Sequence, residues 1–173
     1  GEFTSFEPAT GKFRYYGWPF VSGVGNLGSS MGYDPLRDVM VATDFRTAPG
    51  TIAEHSLSNP ASAWRIIPQH NAPAPIAGYQ TFAWSPARKA WIVWIPALGA
   101  TVYEVRFVND ANGGRYEWSA LTAVENSIVP LAVGTANNGS YDKFQIITTG
   151  AGAEVLIGQL RLQDGVFAFR IPA

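Results

Sequence analysis

The sequence predicts an all-β protein, and three observations point to this fold class. Short runs of β-branched and aromatic residues recur along the chain, bounded by turns rich in its 18 glycines and 12 prolines. Only 14% of the residues are charged, which is low for helices joined by ion pairs. A strand centred on an aromatic residue also recurs about every fifty positions. Together these features indicate many short strands joined by tight turns.

The repeat is carried by four segments that share an aromatic residue at the centre of a strand. The central aromatics are Trp18, Trp64, Trp118 and Phe169, which are 46, 54 and 51 residues apart. Such a spacing is typical of a unit of four short strands. We therefore predict a single domain over residues 1–173. It consists of a partial unit at 1–20 and repeated units at 21–70, 71–122 and 123–173.

The strands within each unit follow from the same pattern. The unit 21–70 contains Met31–Pro35, Val39–Thr43, Thr51–Leu57 and Ala63–Pro68. The unit 71–122 contains Thr81–Pro86, Ala90–Ile95, Thr101–Val108 and Tyr116–Leu121. The last unit contains Pro130–Gly134, Lys143–Thr148, Ala153–Leu160 and Phe167–Pro172, and the partial unit supplies two strands, Phe3–Pro8 and Phe13–Pro19.

Several of these strands are apolar on both faces. The strand Ala90–Ile95 carries no polar residue, and Val39–Val41 and Val155–Ile157 are also continuous apolar runs. A strand with one wet face alternates apolar and polar residues, whereas a continuous apolar strand is buried on both sides. We therefore expect these strands to lie in sheets that have neighbouring sheets above and below.

The segment Phe6–Phe13 resembles the hairpin of kelch-type, galactose-oxidase-like β-propellers, and Asn109–Trp118 occupies the same phase of its own unit. The resemblance implies a propeller-like stack of about three four-stranded antiparallel units plus the partial N-terminal unit. It implies a scaffold and not an oxidase, because the copper centre of that family needs a tyrosine linked to cysteine and this chain has no cysteine. No cofactor is therefore expected.

The number of units leaves the architecture open. A closed propeller has roughly four to eight blades, and three and a half units are fewer than that. The chain is then part of a longer propeller, or copies of it associate, or the units pack as a β-sandwich.

The charge and the cysteine content exclude several classes of partner and site. The net charge of −1 gives no attraction to phosphate backbones, so nucleic acid is not an expected partner. No apolar run approaches the roughly 20 residues of a membrane helix, so membrane insertion is not expected. The compartment is not determined, although an extracellular, cell-surface or virion setting is favoured over the cytoplasm.

Neither the histidines nor the glycine-rich segment predicts a ligand site. His55 and His70 have no metal-binding spacing, and no metal is expected; we interpret one as a partly buried polar residue and the other as a loop residue. His55 and Glu54 are adjacent in a strand and so point to opposite faces. The segment Gly23–Gly28 matches a dinucleotide-binding pattern, but a strand follows it where a helix is required, so we interpret it as a loop.

A propeller glycosidase would need two or three carboxylates that converge. Asp34, Glu54 and Glu104 are the catalytic candidates, and Asp44 lies beside a strand in the same way. Each also has a simpler interpretation. Asp34 precedes Pro35 and is expected to cap its own turn, and Glu104 is expected to form a solvated pair with Arg106.

Recognition is the function that the sequence favours. Loops on a rigid scaffold commonly carry binding, and exposed aromatic rings stack on sugars. The ligand-binding candidates are Tyr15, Trp18, Asn26, Asn112, Asn137 and Tyr141. We expect a non-enzymatic binding or structural module that recognises a protein or a glycan. A fragment of a carbohydrate-active, glycosidase-type propeller and a self-assembling half-propeller are the alternatives, so the partner could also be the remainder of a longer chain or a second copy.

Overall fold

The computed structural model describes residues 4–15, 30–44, 50–73, 81–95, 98, 101–122, 144–158 and 166–172. Within these ranges the chain forms short strands and no α-helix. The strands are β1 (Thr4–Glu7), β2 (Lys12–Tyr15), β3 (Ser30–Asp34), β4 (Val39–Asp44), β5 (Thr51–Ser56), β6 (Arg65–Ile67), β7 (Gln69–His70), β8 (Thr81–Ser85), β9 (Ala90–Trp94), β10 (Val102–Val108), β11 (Arg115–Leu121), β12 (Phe144–Thr148), β13 (Glu154–Gly158) and β14 (Phe167–Arg170). None of the described segments is a helix of the length and apolar character needed to cross a bilayer.

The described strands form four open sheets. The strands β1 and β2 form a hairpin, the first sheet has the order β3-β4-β5-β6, the central sheet β8-β9-β10-β11-β7, and the last sheet β12-β13-β14. The pairings are antiparallel, except that β7 runs parallel to β11. The predicted all-β fold class is therefore confirmed.

The central sheet is covered by the first sheet on one face and by the last sheet on the other. Every residue of β9 is buried, and alternate residues point in opposite directions. Trp91 packs in one cluster with Ile52 of the first sheet. Trp94 packs in a second cluster with Phe144 of the last sheet, with ring centroids 5.0 Å apart. The prediction that Ala90–Ile95 has a neighbouring sheet above and below is confirmed.

The last sheet packs one of its faces against the central sheet. Leu156 and Phe169 face the central sheet and are 1% exposed. On the opposite face, Val155 and Ile157 are half-buried and Ile147 is 44% exposed. The prediction that Val155–Ile157 is covered on both sides is thus met on one side only among the described residues, because no described sheet packs against the second face.

The first strands of the three larger sheets lie next to one another. β3 neighbours β8, and β8 in turn neighbours β12. The sequence places Lys143–Thr148 second in its unit, but in the structure β12 takes the position beside β8. The turn 149–153 after β12 therefore corresponds to the turns 35–38 and 86–89. The strand predicted at Pro130–Gly134 lies outside the described residues.

Two equivalent turns connect the first and second strands of the first and central sheets. Asp34 Oδ1 accepts a hydrogen bond from the N–H of Leu36 (2.9 Å), so its predicted turn-capping role is confirmed. Ser85 Oγ accepts one from the N–H of Arg88 (3.1 Å). Both turns end on a residue in the left-handed region, Asp38 (φ 52°) and Lys89 (φ 54°). The equivalence of Asp34 and Ser85, 51 positions apart, therefore extends to backbone conformation.

Pro68 separates two strands that belong to different sheets. β6 is the edge of the first sheet, and β7 lies against β11 of the central sheet, where the N–H of Tyr116 donates to the carbonyl of Pro68 (2.9 Å). Gln69 anchors this passage, because its Nε2 donates to the carbonyl of Gly50 and its Oε1 accepts from Trp118 Nε1, each at 2.9 Å. His70 therefore lies in a short strand, and its assignment to a loop was wrong.

Replacing Gly32 with alanine is expected to destabilise the contact between the first and central sheets. A Cβ at Gly32 would lie 2.6 Å from Trp91 Cζ3. The Trp91 ring cannot easily move, because Phe82 stacks on it at 4.2 Å and Trp84 meets it edge-on at 5.1 Å. We expect Gly32→Ala to lower the free energy of unfolding by about 1–3 kcal/mol, measured by urea denaturation.

Gly150→Ala is the matched control for Gly32→Ala. A Cβ at Gly150 meets no atom within 4 Å, so this change should stay within about 0.5 kcal/mol of the unmodified chain. Equal effects of the two substitutions would contradict the proposed contact.

Candidate functional site

The first of two arginine-centred networks joins the first sheet to the central sheet. Arg37, in the turn after β3, lies 2.8 Å from Asp34 Oδ2 through Nε and 2.6 Å from Glu54 Oε1 through Nη2. Its Nη2 also donates to Tyr116 Oη at 2.7 Å. Asp34 and Glu54 are therefore brought together on a single guanidinium group. Both carboxylates are buried, with 2% and 5% exposure.

Aromatic rings enclose the guanidinium of Arg37. Its Cζ lies 3.6 Å from the centroid of the Phe107 ring, and the Tyr116 hydroxyl donates to Glu54 Oε1 at 2.6 Å. Burial, reinforced by the charge of Glu54, raises the pKa of Tyr116 well above its ordinary value. The hydroxyl therefore stays protonated at neutral pH and acts as a donor to the carboxylate.

The second network joins the central sheet to the last sheet. Arg88, in the turn after β8, contacts Glu104 through Nε, and its Nη1 donates to the carbonyl of Pro172 at 2.5 Å. In the same turn, Ser85 Oγ donates to a carboxylate oxygen of Glu154, and the N–H of Ala87 donates to Glu154 Oε1 at 3.0 Å. The turn 86–89 is thus held against the last sheet by one arginine and one glutamate.

Glu104 is buried between two arginines and is not solvated. Arg106 Nη2 lies 2.8 Å from Glu104 Oε1, while Arg88 contacts the other carboxylate oxygen, and Glu104 is 7% exposed. Burial alone would raise the pKa of Glu104, but the hydrogen bonds and charges of Arg106 and Arg88 outweigh it and lower this pKa. The expected pairing with Arg106 is confirmed, and the expectation that the pair is solvated was wrong.

The two networks occupy equivalent positions in the repeat. Arg37 and Arg88 are 51 residues apart, the separation that also relates Asp34 to Ser85. Glu54 and Glu104 each lie in the third strand of their sheet and face the next sheet along the chain. The carboxylates were among the candidates predicted from the sequence and the two arginines were not, although the fifty-residue spacing was a signal that could have paired Arg37 with Arg88.

The loop between β10 and β11 is held by a single carboxylate. Asp110 Oδ1 accepts the N–H groups of Asn112 (2.8 Å) and Gly114 (3.1 Å), and Oδ2 accepts Arg115 Nη1 (2.7 Å). These bonds, the two backbone ones foremost, lower the pKa of Asp110. Asn112 is exposed on this ordered loop, so it is the binding candidate whose setting the structure describes.

The remaining candidates are placed only in part. Tyr15 ends β2, where its backbone pairs with Thr4, and Asp44 ends β4, where it pairs with Thr51. The other binding candidates, Trp18, Asn26, Asn137 and Tyr141, lie outside the described residues, as does the segment Gly23–Gly28.

A cleft of about 390 Å³ opens beside the second network. Ala87 and Arg88 of the central sheet form one wall, and residues 152–154 and 170–172 of the last sheet form the other.

In antiparallel sheets, alternate connections emerge at the same end. The turns 35–38, 86–89 and 149–153 and the loop 109–114 therefore share one end of the molecule, which we call the turn end, and the cleft lies there.

The histidines lie on different sheets. His55 points away from Glu54, as predicted, and its ring centroid is 5.1 Å from that of Trp64. It is 1% exposed, so it is more deeply buried than expected. His70 is exposed, with Nδ1 3.9 Å from Glu117 Oε1. Among the described residues, no group of three or more histidines, aspartates and glutamates is arranged to hold a metal ion.

Comparisons with known proteins give no match among family models, curated proteins or solved structures. The resemblance to kelch-type propellers therefore stays a prediction.

Tyr116→Phe is expected to weaken the first network. The substitution removes a hydroxyl that accepts from Arg37 and donates to Glu54, both in a buried setting. We expect a loss of about 1–2 kcal/mol in the free energy of unfolding, measured by urea denaturation. Tyr33→Phe is the control, because the Tyr33 hydroxyl bonds to Asp38 at the surface (3.1 Å); this change should have little effect. A loss no larger for Tyr116→Phe than for Tyr33→Phe would argue against the network.

The buried His55 is expected to make stability fall in mild acid. Burial lowers the pKa of His55 below its unfolded value, so the folded state favours the neutral ring. Its contribution to stability is complete above the unfolded pKa of about 6.5 and is lost as the pH falls through the folded pKa. We expect His55→Gln to flatten the decline in the free energy of unfolding between about pH 6.5 and 5. A decline in His55→Gln as steep as that of the unmodified chain would refute this role.

Proposed function

We propose that this chain is a non-catalytic binding module whose sheets are arranged in a propeller-like manner and whose turn end receives a protein or glycan partner. The observation that carries the proposal is the pairing of all three catalytic candidates with arginines. Asp34 and Glu54 bind Arg37, and Glu104 binds Arg88 and Arg106.

The pairing of these carboxylates supports a structural role. A glycosidase needs a general acid whose pKa is raised so that it holds a proton at neutral pH. The pKa of Glu104 is instead lowered by its arginines, and Glu54 accepts from both Arg37 and Tyr116. These ion pairs and hydrogen bonds support a role of both carboxylates in holding neighbouring sheets in register.

The order of the sheets supports the propeller-like arrangement. The first strands β3, β8 and β12 are neighbours, as the innermost strands of adjacent blades would be. The two interfaces between sheets also use the same elements, because in each an arginine of the first turn reaches the next sheet. The central sheet has a core on each side, and this supports stacked blades as the arrangement we propose over a β-sandwich with one core between two inner faces.

The rigidity of the turn end supports recognition at that surface. Asp34, Ser85 and Asp110 each fix a turn or loop through backbone N–H groups. A surface held in this way loses little conformational entropy when a partner binds. The cleft beside Arg88 provides the concave space. The exposed Asn112 provides donor and acceptor groups on the loop 109–114 at the same end of the molecule.

Binding by the folded chain to a glycan array and to proteins of a native extract tests this proposal. Saturable binding to one class of partner is expected. Ala87→Trp, which fills the cleft from its wall, and Asn112→Ala are each expected to weaken that binding by tenfold or more, about 1.4 kcal/mol. Ser119→Ala, at an exposed position on β11 away from the loop, is the matched control and should bind as the unmodified chain does.

Two results would overturn the proposal. One is the absence of saturable binding, or binding that the cleft and loop variants leave intact. The other is hydrolysis of an array glycan that Glu54→Gln or Glu104→Gln abolishes while the circular dichroism spectrum is preserved, since this would assign the carboxylates to catalysis.

A further inference from the structure

The two interfaces between sheets contain equivalent cavities of different size. In the first interface a cavity of about 60 Å³ is lined by Leu36 and Arg37 of the first sheet and by Phe107 of the central sheet, among other residues. In the second interface the cleft of about 390 Å³ is lined by Ala87 and Arg88, which follow Leu36 and Arg37 by 51 residues. The same part of the repeat is therefore nearly filled in one interface and open in the other.

The direction of the side chains identifies the residue of the last sheet that corresponds to Phe107. Val105 and Phe169 lie in the third strands of the central and last sheets, and each packs in the core that its sheet shares with the preceding sheet. Phe107 and Ile171 lie two positions further along, on the same faces. Phe107 lines the smaller cavity and Ile171 lines the cleft. Ile171 therefore takes the place that Phe107 has in the first interface.

In the first interface an aromatic ring occupies the space beside the arginine. The centroid of the Phe107 ring lies 3.6 Å from Arg37 Cζ, so the ring and the guanidinium are stacked. A cation is attracted to the face of an aromatic ring, and the planar guanidinium stacks on such a face. The first interface thus shows which chemical group fits against an arginine in this position of the repeat.

In the second interface the arginine is held in place without a ring. Arg88 Nε contacts Glu104, and its Nη1 donates to the carbonyl of Pro172, so the guanidinium is fixed in orientation. No aromatic ring of the described residues stacks on Arg88. The equivalent position carries the aliphatic Ile171, and the small side chain of Ala87 leaves the cleft wide. The second interface therefore offers a fixed cation next to a space that a ring can enter.

We propose that the cleft beside Arg88 binds an aromatic side chain of a protein partner, with the ring stacked on the guanidinium as Phe107 stacks on Arg37. This inference rests on the proposed function, because it names the chemical group that enters the cleft at the turn end. A cavity of about 150 Å³ is enough to hold a benzene ring. The cleft of about 390 Å³ therefore admits the side chain of phenylalanine, tyrosine or tryptophan.

The walls of the cleft favour an aromatic residue over a sugar. Sugar rings are commonly bound by stacking on an aromatic side chain of the protein, and none of the residues described as lining the cleft is aromatic. The walls are instead aliphatic at Ala87, Ile171 and Pro172, with the guanidinium of Arg88 beside them. Apolar walls next to a cation suit a ligand that brings its own π electrons. Aromatic residues are also the common anchors of protein interfaces.

Binding of N-acetyl-L-phenylalanine amide, a neutral probe for one aromatic residue of a peptide chain, tests the proposal by NMR. A ring stacked on the guanidinium moves the Nε–H proton of Arg88 upfield, and this resonance is assigned by its absence from the spectrum of Arg88→Lys. We expect a saturable upfield shift at millimolar probe. N-acetyl-L-cyclohexylalanine amide has a similar size and no π electrons, so it should bind about two- to fivefold more weakly and give no upfield shift.

Two substitutions fill the cleft from opposite walls. Ala87→Leu introduces the side chain found at the equivalent Leu36, and Ile171→Phe introduces the ring found at Phe107. Each is expected to weaken binding of the probe by about tenfold or more. Ile171→Phe should also move the Nε–H proton of Arg88 upfield in the absence of probe, because its own ring then stacks on the guanidinium.

Ala120→Leu is the matched control for Ala87→Leu. It makes the same substitution at an exposed position on β11 that does not line the cleft, so it should bind the probe as the unmodified chain does. Ile171 is buried, and if Ile171→Phe fails to fold, the exposed Ala87 still decides the outcome.

Four results would overturn the proposal. One is the absence of a saturable shift at Arg88, and another is equal binding of the phenylalanine and cyclohexylalanine probes, which would refute stacking. The third is a response at Arg88 to the methyl glycosides of glucose, galactose or N-acetylglucosamine with none to the phenylalanine probe, which would assign the cleft to a sugar. The fourth is an Arg88 resonance that in the free chain is already as far upfield as that of Arg37, since a ring of the same chain would then occupy the cleft.

The partner-binding experiment of the proposed function is a separate measurement. Partner binding that Ala87→Trp weakens, together with no response to the phenylalanine probe, would leave the proposed function standing and refute the aromatic group alone.

Discussion

The burial of β9 on both faces is the constraint on which the rest of the structure depends. Trp91 and Trp94 point in opposite directions from one strand, and both are 1% exposed or less. An indole removes a large apolar area from water, so neither ring can be left at a surface. The first and last sheets therefore have to lie on either side of the central sheet, and the turns and loops take positions that this stacking allows.

The arginine networks fix the relative position of sheets whose apolar packing by itself has no preferred direction. Apolar surfaces tolerate small sliding movements, whereas a guanidinium that bonds to two sheets accepts only one arrangement. A buried ion pair contributes little net stability because desolvation offsets the attraction, but removing one partner is costly. Arg37 and Arg88 are best understood as groups that hold the register between adjacent sheets, at the end where the turns also form the candidate binding surface.

Strand positions could be predicted from local patterns, but the partners of the polar residues could not. The runs around Val39, Ala90 and Val102 became strands because β-branched and aromatic residues alternate with glycine and proline turns. Glu104 was expected in solvent because its neighbour Arg106 is close in sequence. Its second partner, Arg88, is 16 residues away and becomes a neighbour only when β8, β9 and β10 pair.

Through residue type and spacing alone, the sequence determined the all-β class, most strand positions, the turn at Asp34 and the double-sided burial of β9. These properties depend on interactions within a few residues or on the period-two alternation of a strand. The tertiary structure decided that β12 lies beside β8, that Pro68 divides two sheets, and that the three candidate carboxylates face arginines. Apart from Asp34 with Arg37 and Glu104 with Arg106, those contacts join residues far apart in the chain. Their geometry is set by how whole sheets stack, and no local sequence pattern contains that information.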